Sequence, residues 1–284
     1  MRSAASDLPL IEEAAREAGA IARAAFGGTF KRWEKSPDQP VTEIDLAVNA
    51  LLEEKLRSAR PDYGWLSEES PDNAERLSCK RTWIIDPIDG TRAFINGEAQ
   101  FAISIGLVED GLPVAGGVYN PMRDRLYLGA PGVGASLNGA SITPSGRAEL
   151  EGATLMAWKR VLERVKSAAE PGAQWPKVKL TMRSSIAYRL SLVAAGAADG
   201  ALMPGYKHEW DVAAGAAILL AGGGKLTDPW GEDLRFNQAF PRHPGVIASG
   251  PNLHSALVAY TRYLPHPESP PASPSTSHTQ DANP

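Results

Sequence analysis

Apolar residues at the start of the chain recur at helical spacing. Leu10, Ala14, Ala18, Ile21 and Ala25 lie three or four apart, and Gly27-Gly28 stops the pattern, which predicts an opening helix. "TFKRWEK" then reads as a short strand and "SPDQP" as a loop. A second helix is expected from about Asp45 to Arg60, with Leu46, Leu52 and Leu56 among its apolar positions and Pro61 closing it. "YGWLSEES" is a short strand that ends in acid. From residue 83 the texture turns to β: "WIID", "FAISIGLVED", "LPVAGGVYNP" and "DRLYLGA" are separated by turns at Asp110-Gly111 and Asn120-Pro121. "GASLNG" ends this meander at about residue 140.

The second half mixes again. "ATLMAW" predicts a strand and 160–170 a polar helix, followed by a buried helix in "SIAYRLSLVAAGAADG". A short strand, "GALMP", precedes a helix from about Val212 that ends at Gly222-Gly223-Gly224, where the glycines read as a C-terminal cap and not as a phosphate loop. Strands "KLTD" and "GVIAS" and the helix "NLHSALVAYTRYL" follow. Residues 265–284 hold Pro and Ser and almost nothing to bury, so a disordered tail is expected there. The order predicts an α/β (α+β) protein of layered helices and sheets. An N-terminal half covers 1–145, and a C-terminal half, 146–264, completes the site.

Composition narrows the function. The 284 residues are 43% hydrophobic and 22% charged, as in a globular protein, with a net charge of −4 and no basic cluster, which sets nucleic-acid binding aside. The single cysteine, Cys79, has no partner for a disulfide and no activating neighbour. Acidic residues near the N-terminus stand where a signal peptide needs an apolar core, and no stretch approaches the roughly 20 apolar residues of a membrane span; a cytoplasmic protein is expected.

Acidic residues gather where elements begin or end: Asp45, Glu68-Glu69, Asp86 with Asp89, and Asp211. Asp45 and Asp211 read equally as helix N-caps, and Glu68 and Glu69 as solvated loop charge. The segment "DPIDGT" resists so plain a reading. Pro87 stiffens the backbone, the Ile88 carbonyl is an available oxygen, Gly90 permits a tight turn, and Thr91 opens a helix whose first N–H groups suit an anion. Carboxylates this close resist burial unless a cation lies between them. Oxygen-only ligands with no Cys or His nearby favour Mg²⁺ or Mn²⁺ over Zn²⁺.

"PVTEID", "SEES", "DPIDGT" and "EWDVAAG" resemble, in order and spacing, the four signatures of the inositol monophosphatase superfamily, with similarity over roughly residues 8–262. The resemblance implies an αβαβα sandwich and an Mg²⁺-dependent phosphomonoesterase with two or three metals per site. It implies that Glu69, Asp86 and the Ile88 carbonyl hold one metal and that Asp86, Asp89 and Asp211 hold a second. Thr91, with Glu69 or Asp45, would orient the attacking water, and the Gly90 and Thr91 N–H groups would receive the phosphate. A homodimer is a further family-level expectation.

The substrate expected is a small phosphorylated metabolite. "GTRAFINGEAQFAISIGLVEDG" and "EWD" before "AAG" look closest to the bacterial 3′(2′),5′-bisphosphate nucleotidase branch, whose reaction takes 3′-phosphoadenosine 5′-phosphate to AMP. Val212 and "GYKHEWD" instead resemble the inositol-1-phosphate phosphatase branch. A catalytically silent metal-binding scaffold is the alternative of another class. Arg92, Arg183, Lys207 and His208 stand as candidate substrate contacts beside their plainer reading as solvated or loop residues, and Trp83 and Trp210 as packing residues.

Overall fold

The structure, a computed structural model, describes residues 3–37, 39–169 and 174–266. The expected disordered tail lies outside these except for Pro265 and His266. Helix α1 (Leu8–Ala25) leads to a hairpin, β1 (Arg32–Ser36) and β2 (Gln39–Thr42), then α2 (Glu43–Ala59) and β3 (Gly64–Ser67). Strand β4 (Arg81–Asp89) and the short α3 (Thr91–Ile95) precede a meander of β5 (Ala102–Glu109), β6 (Leu112–Asn120), β7 (Arg125–Ala130), β8 (Gly134–Leu137) and β9 (Ala140–Ile142). The second half holds β10 (Thr154–Met156), α4 (Lys159–Ala168), β11 (Lys179–Thr181), α5 (Ile186–Ala194), β12 (Gly200–His208) and α6 (Glu209–Ala221). It ends with β13 (Lys225–Thr227), β14 (Arg242–Ser249) and α7 (His254–Thr261).

Strands β3 to β9 form a seven-stranded sheet in sequence order, and β11-β10-β12-β14-β13 form a second sheet of five. Helices α1 and α2 cover the outer face of the first sheet, α5 and α6 lie between the sheets, and α4 and α7 cover the second. This is the αβαβα order that the resemblance implies. Both faces of the first sheet are buried, so β4 reads as an unbroken apolar run whose alternate residues enter different cores: Trp83 and Ile85 face α1 and α2, and Ile84 faces α5 and α6.

Helix α6 is apolar almost all round because it is enclosed by both sheets, and Glu209 and every residue from Val212 to Leu219 are buried. Its small side chains let it lie directly on a row of glycines. A Cβ on Gly116 would stand 2.5 Å from the Ala214 carbonyl oxygen, and one on Gly129 would stand 2.7 Å from the Ile218 Cα. This close approach sets how near the N-terminus of α6 comes to the end of β4.

Several expectations are corrected. Helix α2 starts at Glu43 and not Asp45, because Thr42 is the cap; its hydroxyl accepts from the Ile44 N–H at 3.1 Å. Leu46 is 40% exposed and lies on the outer face of α2. The "SPDQP" loop contributes Gln39 and Pro40 to a strand, since β2 pairs back on β1. Helix α5 ends at Ala194, where Gly196 takes a left-handed φ of 68°, and α6 begins at Glu209, three residues before the position expected. Strands β9 and β11, of three residues each, were too short to show a period. Among the described residues no helix is long and apolar enough to cross a membrane.

Two outcomes follow from this packing. Gly116→Ala forces a methyl group into the backbone of α6, and the expected loss is about 1–3 kcal/mol, read from denaturant unfolding; an unchanged midpoint would show that the two layers are not in fixed contact. On the second sheet, the ring of His254 is buried between Thr227 Oγ1 (2.9 Å) and Ser249 Oγ (3.2 Å), and burial, helped by Lys225, pushes it down to about 4. The folded state therefore keeps this ring neutral while the unfolded state takes up a proton, so its contribution to stability is present above about pH 6.5 and is lost as pH falls toward 4. A series of Tm measurements over that window should fall more steeply for the wild type than for His254→Gln; parallel curves would rule this out.

Candidate active site

Asp86 and Asp89 are three residues apart on one strand, and in a regular strand their side chains would leave opposite faces. A bulge resolves this. Asp86 pairs with Ser104 and Asp89 with Ala102, so β4 spends three steps where β5 spends two. The extra residue falls beside Pro87, which has no N–H to give to the ladder. Ile88 turns into the core under α1 and α2, and both aspartates turn toward α5 and α6.

Asp89, Asp211 and Asp45 are each held at the start of a helix. Asp89 Oδ2 accepts from the Ser185 hydroxyl at 2.7 Å and from the Ala187 N–H at 2.6 Å, while the same Ser185 oxygen caps α5 by accepting from the Tyr188 N–H at 3.0 Å. Asp211 is the third residue of α6, and its Oδ2 accepts from the His208 N–H at 3.2 Å. Asp45 is the third residue of α2 and accepts from both the backbone N–H (2.9 Å) and the hydroxyl of Thr42. Asp45 and Asp211 thus serve their helices from inside the first turn, not as N-caps.

One carboxylate oxygen each from Asp86, Asp89 and Asp211 lies within 4.8 Å of the others. Asp86 Oδ1 is buried with no hydrogen-bond partner. Burial, then the charges of Glu68, Asp89 and Asp211, raise Asp86 well above the usual carboxylate range. Burial, then Asp89 and Glu68, do the same to Asp211. Asp89 is pushed up to about 6 by burial in spite of the donors from Ser185 and Ala187. An orphaned buried oxygen inside a cluster of oxygen-only donors fits a hard divalent cation, which would return all three to their ionised form.

The Thr91 hydroxyl lies 3.1 Å from Asp45 Oδ1 and 3.1 Å from the Ile88 carbonyl. Gly90 precedes α3 in a left-handed conformation (φ 100°), and a Cβ there would crowd the Gln100 carbonyl oxygen at 3.3 Å. The two glutamates are placed differently. Glu68 lines the same cavity as the aspartates, whereas Glu69 lines a neighbouring cavity with Asn49, Ser70 and Arg76. Lys35, from β1, reaches both, at 2.9 Å from Glu68 and 2.7 Å from Glu69. Burial pushes Glu69 up to about 7 against the pull of Lys35.

The cavity is about 820 Å³. Beside Asp86, Asp89, Gly90, Thr91 and Asp211 it is lined by Arg92, Lys207 and His208, which the sequence had raised as contacts. Arg183 is not among its walls and donates to the Met182 carbonyl at 2.6 Å. Trp83 is a core residue, but Trp210 lines the cavity, with the His208 ring stacked on it at 4.3 Å.

Sequence reasoning missed Lys35, Trp158, Ser185, Arg189 and Tyr206. A signal existed for Arg189, the lone cation in the apolar helix "IAYRLSLVA". The residue is 7% exposed; its guanidinium donates to the Arg183 carbonyl and, at 3.0 Å, to the Ser184 carbonyl, and it lines the cavity where its charge bears on Asp89 and Asp211.

A model of the inositol monophosphatase family matches residues 6–265. The chain is 34% identical over 254 residues to inositol monophosphatase 1 of Solanum lycopersicum, across 87% of this chain and 91% of that protein. It is 32% identical over 229 residues to the Nus factor SuhB of Xylella fastidiosa, across 79% of this chain and 82% of that one. Among solved structures, the extragenic suppressor protein suhB of Bartonella henselae aligns with a TM-score of 0.77 at 27% identity, over 90% of this chain and 98% of its own. Matches that run through both halves of the chain leave one conclusion: it belongs to the inositol monophosphatase family, and its activity is that of a phosphatase on phosphate monoesters.

Proposed function

We propose that this phosphatase is Mg²⁺-dependent and acts on a small phosphomonoester that carries a second anionic group and a planar ring, in the first instance a 3′(2′),5′-bisphosphate nucleotide. The observation that carries this reading is the buried Arg189 beside the aspartates, in a cavity that also has aromatic walls. Trp158 is 50% exposed and Tyr206 38% exposed, and the stacked Trp210 and His208 rings stand with them. A buried guanidinium suits a phosphate in bidentate geometry, and exposed aromatic faces suit a base. A polyol monophosphate uses neither.

In this proposal Asp86, Asp89, Asp211 and the Ile88 carbonyl hold the metal ions. The glutamate ligand is Glu68, one residue before the Glu69 of the resemblance, because Glu68 shares the cavity and its charge bears on Asp86 and Asp211. Bound divalent cations supply a lowered pKa for water and neutralise charge on the phosphoryl group and leaving oxygen. Thr91 has one hydroxyl proton and two acceptors, Asp45 Oδ1 and the Ile88 carbonyl. With that proton given to Asp45, its oxygen is an acceptor that orients the attacking water, and Asp45, held by Thr42, keeps it so. The Gly90 and Thr91 N–H groups, at the start of α3, receive the phosphate oxygens.

A second reading, an inositol monophosphate phosphatase with inositol 1-phosphate as its test substrate, is favoured by the similarity to inositol monophosphatase 1 of Solanum lycopersicum. Phosphate release from 3′-phosphoadenosine 5′-phosphate and from inositol 1-phosphate, assayed side by side with Mg²⁺, separates the two, and preference for the inositol ester would overturn the nucleotide reading. EDTA should stop release, and Asp89→Asn should lower kcat by at least about a hundredfold, by analogy with the loss of one charge-stabilising group. Arg189→Met should raise KM for the bisphosphate by about tenfold or more and leave a monophosphate ester nearly unaffected, as expected when one partner of a buried charge pair is removed. Equal effects on both esters would mean that Arg189 serves the aspartates and not the substrate.

A further inference from the structure

Asp211 and Glu68 reach one cavity from different layers of the fold, Asp211 from the helix between the sheets and Glu68 from the loop after β3. Two residues before Asp211, the Glu209 carboxylate is completely buried and accepts from the backbone N–H groups of Asn237 (2.6 Å) and Gln238 (2.9 Å). Asn237 takes a left-handed φ of 58° in this turn. Its side chain engages Arg76 in both directions, with Oδ1 accepting from Nη1 at 2.7 Å and Nδ2 donating to the Arg76 carbonyl at 3.0 Å. Arg76 also donates to the Gln238 carbonyl at 2.9 Å and forks onto Asp72 at 2.6 and 2.9 Å. Asp72 closes the loop that begins with Glu68, and Pro71 stiffens the step between.

We propose that Glu209, Asn237, Gln238, Arg76 and Asp72 form a brace that fixes the position of Asp211 relative to Glu68 and thereby sets the affinity of the site for divalent cations. Glu209 and Arg76 are then positioning residues. The proposal rests on the metal-dependent reading above. Neither residue lines the active-site cavity, so neither touches substrate. Stability alone does not account for them, since buried charges are costly to desolvate and apolar residues of like volume often serve a core as well. Nor is Glu209 needed to cap α6, because Asp211 already returns to the His208 N–H. The network instead has its two ends in the two segments that carry cavity carboxylates. Partners that orient metal-binding groups are worth about 10–100-fold in affinity.

The test is Mn²⁺ binding to the full chain, followed by electron paramagnetic resonance without substrate and alongside thermal unfolding. Arg76→Lys keeps the charge and loses the fork, and Glu209→Gln keeps the size and one acceptor. Both should weaken Mn²⁺ binding by about tenfold and raise the Mg²⁺ concentration for half-maximal turnover by the same factor, with turnover at saturating metal within about twofold of wild type. Asp72→Ala, at the half-exposed end of the network, keeps the experiment decisive if the buried variants do not fold, and should shift binding in the same direction by a smaller factor. A lowered Tm with unchanged Mn²⁺ affinity in the folded protein would overturn the brace. If the wild type itself binds no Mn²⁺, the metal reading falls first, and the brace with it.

Discussion

The site depends on one extra residue in β4. Without the bulge at Pro87, Asp86 and Asp89 would point into different cores, and no arrangement of helices could bring them together. With it, Ile88 goes inward to the α1 and α2 side and both carboxylates go to the α5 and α6 side. The backbone irregularity and the chemistry are the same feature. Gly90 follows at once because the chain must then reverse beneath Gln100 and Phe101, where a side chain would crowd the backbone.

Like charges brought together in a dry place need compensation, and the fold supplies it from helix starts. Asp89 meets the first turn of α5, Asp211 sits in the first turn of α6, and Asp45 in that of α2. Helix α2 belongs to the outer layer and α5 and α6 to the layer between the sheets, so the spacing of the carboxylates reflects packing within and between layers. The row of glycines under α6 and the hydrogen-bonded turn at Asn237 and Gln238 both act on that spacing, one by close approach and one by polar contacts.

Much of this was legible in the sequence, and the reasons for the rest are physical. "DPIDGT" announced itself because Pro, Gly and paired acids at the end of an apolar run have few plain explanations. The layered order followed from the change of hydrophobic period at residue 83. The starts of α2 and α6 were misplaced because Asp at the third helical position and Asp at the cap look alike in a sequence, and only the partner, Thr42 or His208, distinguishes them. Glu68 and Glu69 are adjacent and chemically identical, and which one faces the cavity depends on the turn after β3. Arg189 showed only as a lone cation in an apolar helix, with nothing to say what that helix faces, and Lys35 lies on β1, a strand exposed along its length that gives no pattern.

The way α5 holds Asp89 also bears on which ion the proposed metal site would select. One oxygen of that carboxylate is already committed to two donors, and one oxygen of Asp211 to another. In the proposed metal site these two groups would coordinate through single oxygens. Calcium prefers seven or eight ligands and readily takes carboxylates two oxygens at a time, while magnesium holds to six and keeps several waters. Asp89 and Asp211 limited to single oxygens would weigh against an ion that asks for seven or eight ligands, so the hydrogen bonds that anchor them would also act as a size filter.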